Sequence, residues 1–185
     1  MKKTILMTVL FSLFSLTDAK AQEDSATIDK NEIIAKGKWL IEANTNLGGG
    51  RGDFGMSSNT GFNLVNFNEL TAWAVGSEAG FFLMDKLALK LGLGYSSSET
   101  FKVFNYKLGA KYYAFGQIPF QVDITGGQAS GESINPLWLG IQGGYVIFLT
   151  NNIGIEPAIR YNYSLNDDFT DKGIFEFTVG FSFYF

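Results

Sequence analysis

Apolar and polar residues alternate along much of this chain, and the alternation is clearest near its C-terminus. From Phe175 to Phe185 every odd position is Phe or Val, whereas the even positions are Glu, Thr, Gly, Ser and Tyr. Successive side chains of a β-strand point to opposite faces, so a period of two predicts a strand with one apolar and one polar face. The pattern recurs upstream and predicts eight strands, over residues 38–46, 73–83, 87–95, 104–112, 120–125, 137–149, 153–163 and 175–185.

The connections between these strands alternate in length. Residues 85–86, 116–118 and 150–152 form tight turns, and the other four connections, over residues 48–69, 96–100, 126–135 and 164–172, are mostly longer and polar. An even number of strands with short turns at one end and longer loops at the other is typical of outer-membrane barrels. We therefore predict an all-β fold, an eight-stranded antiparallel transmembrane β-barrel with up-and-down order.

Alternation alone does not say which face points outward, and a soluble, lipocalin-like barrel would bury its apolar face. The polar face is rich in Gly, Ala, Ser and Asn, which suits a narrow, filled lumen. The apolar face carries aromatic residues near the strand ends, as the interfacial girdles of membrane barrels do. These residues are Trp39, Trp73, Tyr95, Tyr112, Tyr145, Tyr161, Tyr163 and Phe185. We expect the apolar face to contact lipid.

The N-terminus predicts export. Lys2 and Lys3 precede an apolar run over residues 5–16, and Ala19-Lys20-Ala21 provides a small-residue cleavage site. This order is the secretory signal pattern, and the run is too short to span a bilayer as a helix. We expect a cleaved signal peptide over residues 1–21, a periplasmic N-terminal linker over 22–36, a barrel over 37–185, and location in a Gram-negative outer membrane.

Composition narrows the chemistry. Aromatic residues make up 16% of the chain and charged residues only 17%, below the roughly 25% of typical soluble domains. Formal net charge is −4 without basic clusters, which argues against nucleic acid as a partner. The chain has no His and no Cys, so Ser-His and Cys nucleophile sites cannot form. We expect no enzymatic activity, no cofactor and a monomer.

Nine charged residues fall on the predicted inward face. They are Glu42, Glu78, Lys90, Lys107, Lys111, Asp123, Glu156, Arg160 and Glu176. An eight-stranded barrel is just wide enough inside for its own side chains, and charges taken from water persist when paired. We predict an ion-pair network that plugs the lumen, with Arg160 at its centre because its fork can hold two carboxylates. The alternative is a gated path for protons or ions.

The signal peptide, the eight alternating strands and the terminal run Phe181-Ser182-Phe183-Tyr184-Phe185 together resemble one family. They are similar to the small outer-membrane barrels, the OmpA transmembrane-domain and OmpX-like group. The resemblance covers residues 37–185 and includes no catalytic or ligand-binding motif. It implies that Phe181, Phe183 and Phe185 form a signal for the barrel-assembly machinery. Outer-membrane lipid and lipopolysaccharide are the other expected partners.

Two loop segments contain short motifs that we interpret as ordinary loops without a binding function. Arg51-Gly52-Asp53 follows three glycines and is more simply a flexible loop than an adhesion tripeptide. Asn166-Asp167-Asp168 with Asp171 lacks EF-hand spacing and is more simply a solvated acidic loop than a cation site. The functional hypothesis is a structural or surface-interaction barrel. The alternative is a channel or receptor that passes small, including hydrophobic, solutes.

Overall fold

The computed structural model describes residues 28–48, 60–67, 70–97, 102–130 and 135–185. Its elements are α1 (Lys30–Ile33), β1 (Trp39–Gly48), β2 (Phe62–Phe67), β3 (Leu70–Met84), β4 (Leu87–Ser97), β5 (Lys102–Ala114), β6 (Ile118–Ala129), β7 (Leu137–Gly144), β8 (Ile147–Phe148), β9 (Ile153–Ser164) and β10 (Ile174–Tyr184). Within the described ranges, no helix is long and apolar enough to cross a membrane.

The strands close into a barrel. From β3 to β10 the barrel strands pair antiparallel in chain order, and β8 continues the line of β7 along β9. The ring closes because β1 pairs with β10 on one side and with β3 on the other, from Trp39 opposite Phe81 to Glu42 opposite Glu78. The predicted fold, an eight-stranded antiparallel barrel with up-and-down order, is confirmed.

The two ends of the barrel differ in their connections. The tight turns, at Asp85–Lys86 among other places, lie at the end where β1 begins and β10 finishes, which we term the turn end. There Trp39 and Phe185 exchange two backbone hydrogen bonds, of 2.7 and 3.1 Å. The opposite end, where β1 finishes and β10 begins, is termed the loop end.

Three strand predictions need correction. The region predicted as a loop over residues 48–69 contains β2, which forms a hairpin with the first part of β3. Strand β6 extends to Ala129 because its glycines continue to pair with β5, so it is longer than the predicted 120–125. The predicted strand 137–149 is divided into β7 and β8, with Tyr145 and Val146 between them, although the Tyr145 amide still donates to the Pro157 carbonyl and the Val146 amide to the Gln117 carbonyl.

The faces of the wall follow the predicted alternation. Along β4 buried and exposed residues alternate without a break from Ala88 to Ser96, with the leucines outward. Leu91 is 57% exposed on the outer face, and its neighbour Lys90 is 1% exposed inside. All eight residues of the predicted aromatic girdles are exposed on the outside. Because these apolar side chains face outward, the wall has the polarity of a membrane barrel and the reverse of a soluble one.

Candidate functional site

The lumen contains all nine charged side chains that the sequence placed on the inward face. Each is at most 3% exposed: Glu42, Glu78, Lys90, Lys107, Lys111, Asp123, Glu156, Arg160 and Glu176. They come from seven different strands, and the inward positions between them are mostly Gly, Asn, Gln, Ser or Thr. Small and neutral neighbours leave room for long charged side chains to meet near the barrel axis.

Two lysines connect three of the carboxylates in a row. The Nζ atom of Lys111 lies 2.6 Å from a carboxylate oxygen of Glu42 and 2.6 Å from one of Glu156. The Nζ atom of Lys90 lies 3.0 Å from Glu42 and 2.6 Å from Glu78. Each lysine therefore bridges two acids, and Glu42 is shared between them.

The row continues toward the loop end through a third lysine and an amide. The Nζ atom of Lys107 donates to Glu78 at 2.7 Å. Gln121 accepts from Lys90 at 2.9 Å through Oε1 and donates to Asp123 at 2.8 Å through Nε2. Since an amide can accept on one side and donate on the other, Gln121 joins the lysine cluster to the next group of charges.

That next group is centred on Arg160. Its two terminal nitrogens donate to the two carboxylate oxygens of Asp123 at 2.6 and 2.7 Å, a bidentate pair. Its Nε donates to Asn162 at 2.8 Å and lies 3.8 Å from Glu176. A Cβ atom at Gly140, on the adjacent strand β7, would collide with the Arg160 guanidinium, so glycine at this position leaves room for the guanidinium where it lies.

The geometry differs from the sequence interpretation at the centre of the network. Arg160 contacts two carboxylates, as expected, but lies at one end of the network. Lys90 occupies the centre, since it contacts Glu42, Glu78 and Gln121. The role of Gln121 was missed, although its position opposite Lys111 and two residues before Asp123 places it among charges.

These contacts join all nine charged groups into one network. Each of the four basic groups has a carboxylate within 4.0 Å. Five acids against four bases nearly balance, which offsets the cost of taking isolated charges out of water. Neutral groups add further hydrogen bonds, such as the one from Asn162 to Glu176 at 2.6 Å and the one from Thr125 to Asp123 at 2.9 Å. Chemically, the arrangement pairs the charges that face the lumen with one another.

A second, apolar layer lies between the network and the turn end. Its buried residues are Ile33, Ile34, Leu40, Phe82, Ala88, Tyr113, Val146, Phe148 and Tyr184. The hydroxyls of Tyr113 and Tyr184 lie 3.3 Å apart, and Lys111 Nζ is 5.5 Å from the centre of the Tyr113 ring. The tyrosines therefore mark the boundary between the two layers.

Two of these apolar side chains come from the N-terminal segment, residues 28–36, which belongs to the predicted linker. Its helix α1 begins at the N-cap Asp29, whose carboxylate accepts from two backbone amides. The Ile34 carbonyl accepts from the Lys86 amide at 2.8 Å, and the Lys30 ammonium donates to Gln117 at 2.6 Å. This part of the linker thus docks in the turn-end mouth.

The other predicted features add no site. The tripeptide at residues 51–53 lies outside the described residues. Asn166 donates to the Asn135 carbonyl at 2.8 Å, and it thereby joins two segments at the loop end. In the part of the chain that the structure describes, no group of three or more acidic side chains could hold a metal ion. Phe181, Phe183 and Phe185 lie on the outer face.

Comparisons with known proteins agree on the architecture. The chain is similar to the N-terminal β-barrel domain of Pseudomonas aeruginosa OprF, with 17% identity, 81% of this chain and 98% of that chain covered, and a TM-score of 0.51. It is also similar to Yersinia pestis Ail in a phospholipid bilayer nanodisc (11% identity, 81% and 100% covered, TM-score 0.47) and to AlkL in lipid bilayers (13%, 90% and 95%, 0.47). No family model and no curated protein matches the chain.

At these identities the likeness concerns the fold. The chain has the fold of the small eight-stranded barrels, and the resemblance predicted from its strands is confirmed at that level.

Proposed function

We propose that this chain is an integral outer-membrane β-barrel with a structural or surface-interaction role, and that its lumen is closed by ion pairs. The observation that carries the proposal is the network of nine buried charges, joined from Glu156 to Glu176 without a break. A conducting pore needs a continuous path for water. In this proposal the paired side chains obstruct that path, and the buried apolar layer toward the turn end adds to the obstruction.

The outer surface supports a membrane location. Large apolar side chains are exposed around the wall, and β4 presents four leucines and a tyrosine to the outside. Such a surface is stable in lipid and would aggregate in water. The signal peptide over residues 1–21 provides the export route, and outer-membrane lipid and lipopolysaccharide are the proposed surroundings of a monomeric barrel.

Insertion depends on the barrel-assembly machinery in this proposal. Phe181, Phe183 and Phe185 present their side chains outward along the last strand, where another protein can reach them. The replacement Phe185→Ala should lower the amount of assembled barrel in outer membranes. The replacement Phe175→Ala, on the same face at the other end of β10, serves as the matched control.

The membrane part of the proposal is tested by gel mobility of the protein from isolated outer membranes. A closed barrel resists SDS, so the unboiled sample should run faster than the boiled one. A periplasmic, water-soluble protein without a heat shift would contradict the proposal.

The closed lumen is tested by single-channel recording of the purified protein in planar bilayers. We expect no steady currents of large conductance. Such currents would instead support the alternative function, a channel for ions or small solutes, and would overturn the ion-pair plug.

A further inference from the structure

We infer that residues 28–36 act as a removable cork, a second seal that closes the turn-end mouth independently of the ion-pair network. The inference rests on the proposed function, because a second closure presupposes that the ion-pair network already closes the lumen. It concerns a part of the chain that the eight-stranded wall does not need.

The cork places two fully packed side chains in the mouth, and a third, Ile28, packs against them while partly buried. Ile33 is 4% exposed and Ile34 is completely buried, and they pack in the apolar layer with Leu40, Phe82 and Tyr113. The Tyr113–Tyr184 pair forms the inner side of that layer, and Lys111 lies beside the Tyr113 ring. Water entering from the turn end meets the cork first and the ion pairs afterwards.

The contacts that hold the cork are few and lie at the rim. The Lys30 ammonium bonds to Gln117, and the Lys36 amide bonds to the Asp85 carboxylate at 2.9 Å in an exposed position. The Ile34 carbonyl accepts one further bond, from the Lys86 amide. No strand pairing includes residues 28–36, so the wall stays closed when these contacts break.

The segment also has a hinge and little stability of its own. Gly37 joins it to β1 with φ of +87°, a conformation that glycine adopts without strain. Helix α1 has four residues, well below the length at which isolated helices persist in water. Two buried isoleucines and the partly buried Ile28 must offset the conformational entropy of the whole segment, so its docked and undocked states lie close in free energy.

The absence of cysteine allows a direct accessibility test. Ala88→Cys places a single thiol on the inner face of the apolar layer, where Ala88 is fully buried, and the reagent is a charged, water-soluble methanethiosulfonate. The rate of thiol modification is compared in three proteins that all carry Ala88→Cys. The first has no other change, the second adds Ile33→Ser/Ile34→Ser, and the third is the matched control, which adds Asn31→Ser/Glu32→Ser. The control alters the two exposed residues of the same helix.

We expect modification to be at least 10-fold faster when the two isoleucines are replaced and unchanged in the control. Lys30→Ala, which loses only the bond to Gln117, should give an intermediate rate. The heat-dependent gel shift must persist in every variant, and it separates an undocked cork from an unfolded barrel. If the double serine variant keeps the shift but its thiol reacts no faster, the cork inference is overturned.

Conductance separates this inference from the proposed function. We expect the double serine variant to remain non-conducting, because the ion-pair network still closes the lumen above Lys111. Large currents from the unmodified protein would overturn the proposed plug. Large currents from the double serine variant alone would overturn the independence of the two seals.

Discussion

The lumen has two layers that fill the same narrow space by different physical means. Toward the loop end, nine charged groups meet in one hydrogen-bonded network, while toward the turn end nine apolar or tyrosine side chains pack together. In the apolar layer each contact is small and replaceable, so a lost side chain leaves a cavity. In the network each group has specific partners, so a lost side chain leaves an unpaired charge. The layers should therefore respond differently to substitution.

The largest effect is expected where one cation serves two anions. Lys111→Met keeps the length of the side chain but leaves Glu42 and Glu156 without their shared partner, whose Nζ lies 2.6 Å from each. Breaking a buried ion pair costs roughly 3–5 kcal/mol. We expect a loss of this size in the free energy of unfolding, measured by urea unfolding in lipid vesicles.

A second substitution sharpens this prediction. Glu42 keeps Lys90 at 3.0 Å in Lys111→Met, whereas Glu156 loses the lysine that pairs with it. Adding Glu156→Gln removes that uncompensated charge, so part of the lost stability should return. If the double variant is as unstable as the sum of the two single variants, the two residues do not interact as described.

A large effect of another origin is expected in the apolar layer. Phe82 is fully buried and its ring lies 5.8 Å from that of Tyr113. Phe82→Ala should cost about 3 kcal/mol, at the lower end of the range for such truncations, because the docked N-terminal segment can move into the cavity. Phe81→Ala, at the neighbouring outward position, is the control and should cost clearly less.

The comparison between layers predicts how additional substitutions combine. A second, smaller truncation next to Phe82→Ala should lower the free energy of unfolding further. The further loss equals that of the single variant, or is smaller where the layer repacks. No rescue like that of Lys111→Met by Glu156→Gln is expected there. A clear rescue within the apolar layer would contradict the distinction between the layers.

A smaller effect is expected at the glycine that admits Arg160 to the network. Gly140→Ala places a Cβ atom where the guanidinium lies, so the bidentate contact with Asp123 must shift. Overpacking of this kind costs about 1–3 kcal/mol. In Gly143→Ala, on the same strand, the new Cβ atom would lie 3.8 Å from the Phe120 ring, an ordinary contact distance. The free energy of unfolding should therefore stay nearly unchanged. Equal effects at both glycines would contradict the described geometry.

The sequence predicted the wall and the inward charges because both depend on local alternation. Every residue of the ion-pair network follows from its position in a strand and from the face on which it lies. The pairing of charges does not follow, since it depends on barrel tilt and on side-chain reach across the lumen. For this reason Lys90 could not be identified as the centre of the network. Gln121 is uncharged and was therefore not predicted to belong to it.

The errors at the strand ends and at the N-terminus have similar physical causes. Strand β2 has only six residues and pairs with the next strand, β3, across a short hairpin, and this pairing reveals it as a strand. The division between β7 and β8 is short, since Tyr145 and Val146 still donate hydrogen bonds to Pro157 and Gln117 on the two neighbouring segments. Residues 28–36 contain several charged side chains, and the three isoleucines that contact the barrel, Ile28, Ile33 and Ile34, are too few to give a period.

The smallest effect tests the boundary between the layers. Tyr113→Phe removes one hydroxyl of the pair with Tyr184, whose oxygens lie 3.3 Å apart in a buried position. A single hydrogen bond contributes about 0.5–1.5 kcal/mol, and Tyr184 would keep Lys111 and the carboxylates nearby, so we expect a loss within this range. Tyr112→Phe is the matched control, because Tyr112 is the preceding residue of β5 and faces outward. Its unfolding free energy should change less than that of Tyr113→Phe. A larger loss in Tyr112→Phe than in Tyr113→Phe would mean that the hydroxyl on the outer surface stabilises the barrel more than the buried one. The hydrogen bond between the two tyrosines would then contribute nothing to the boundary between the layers.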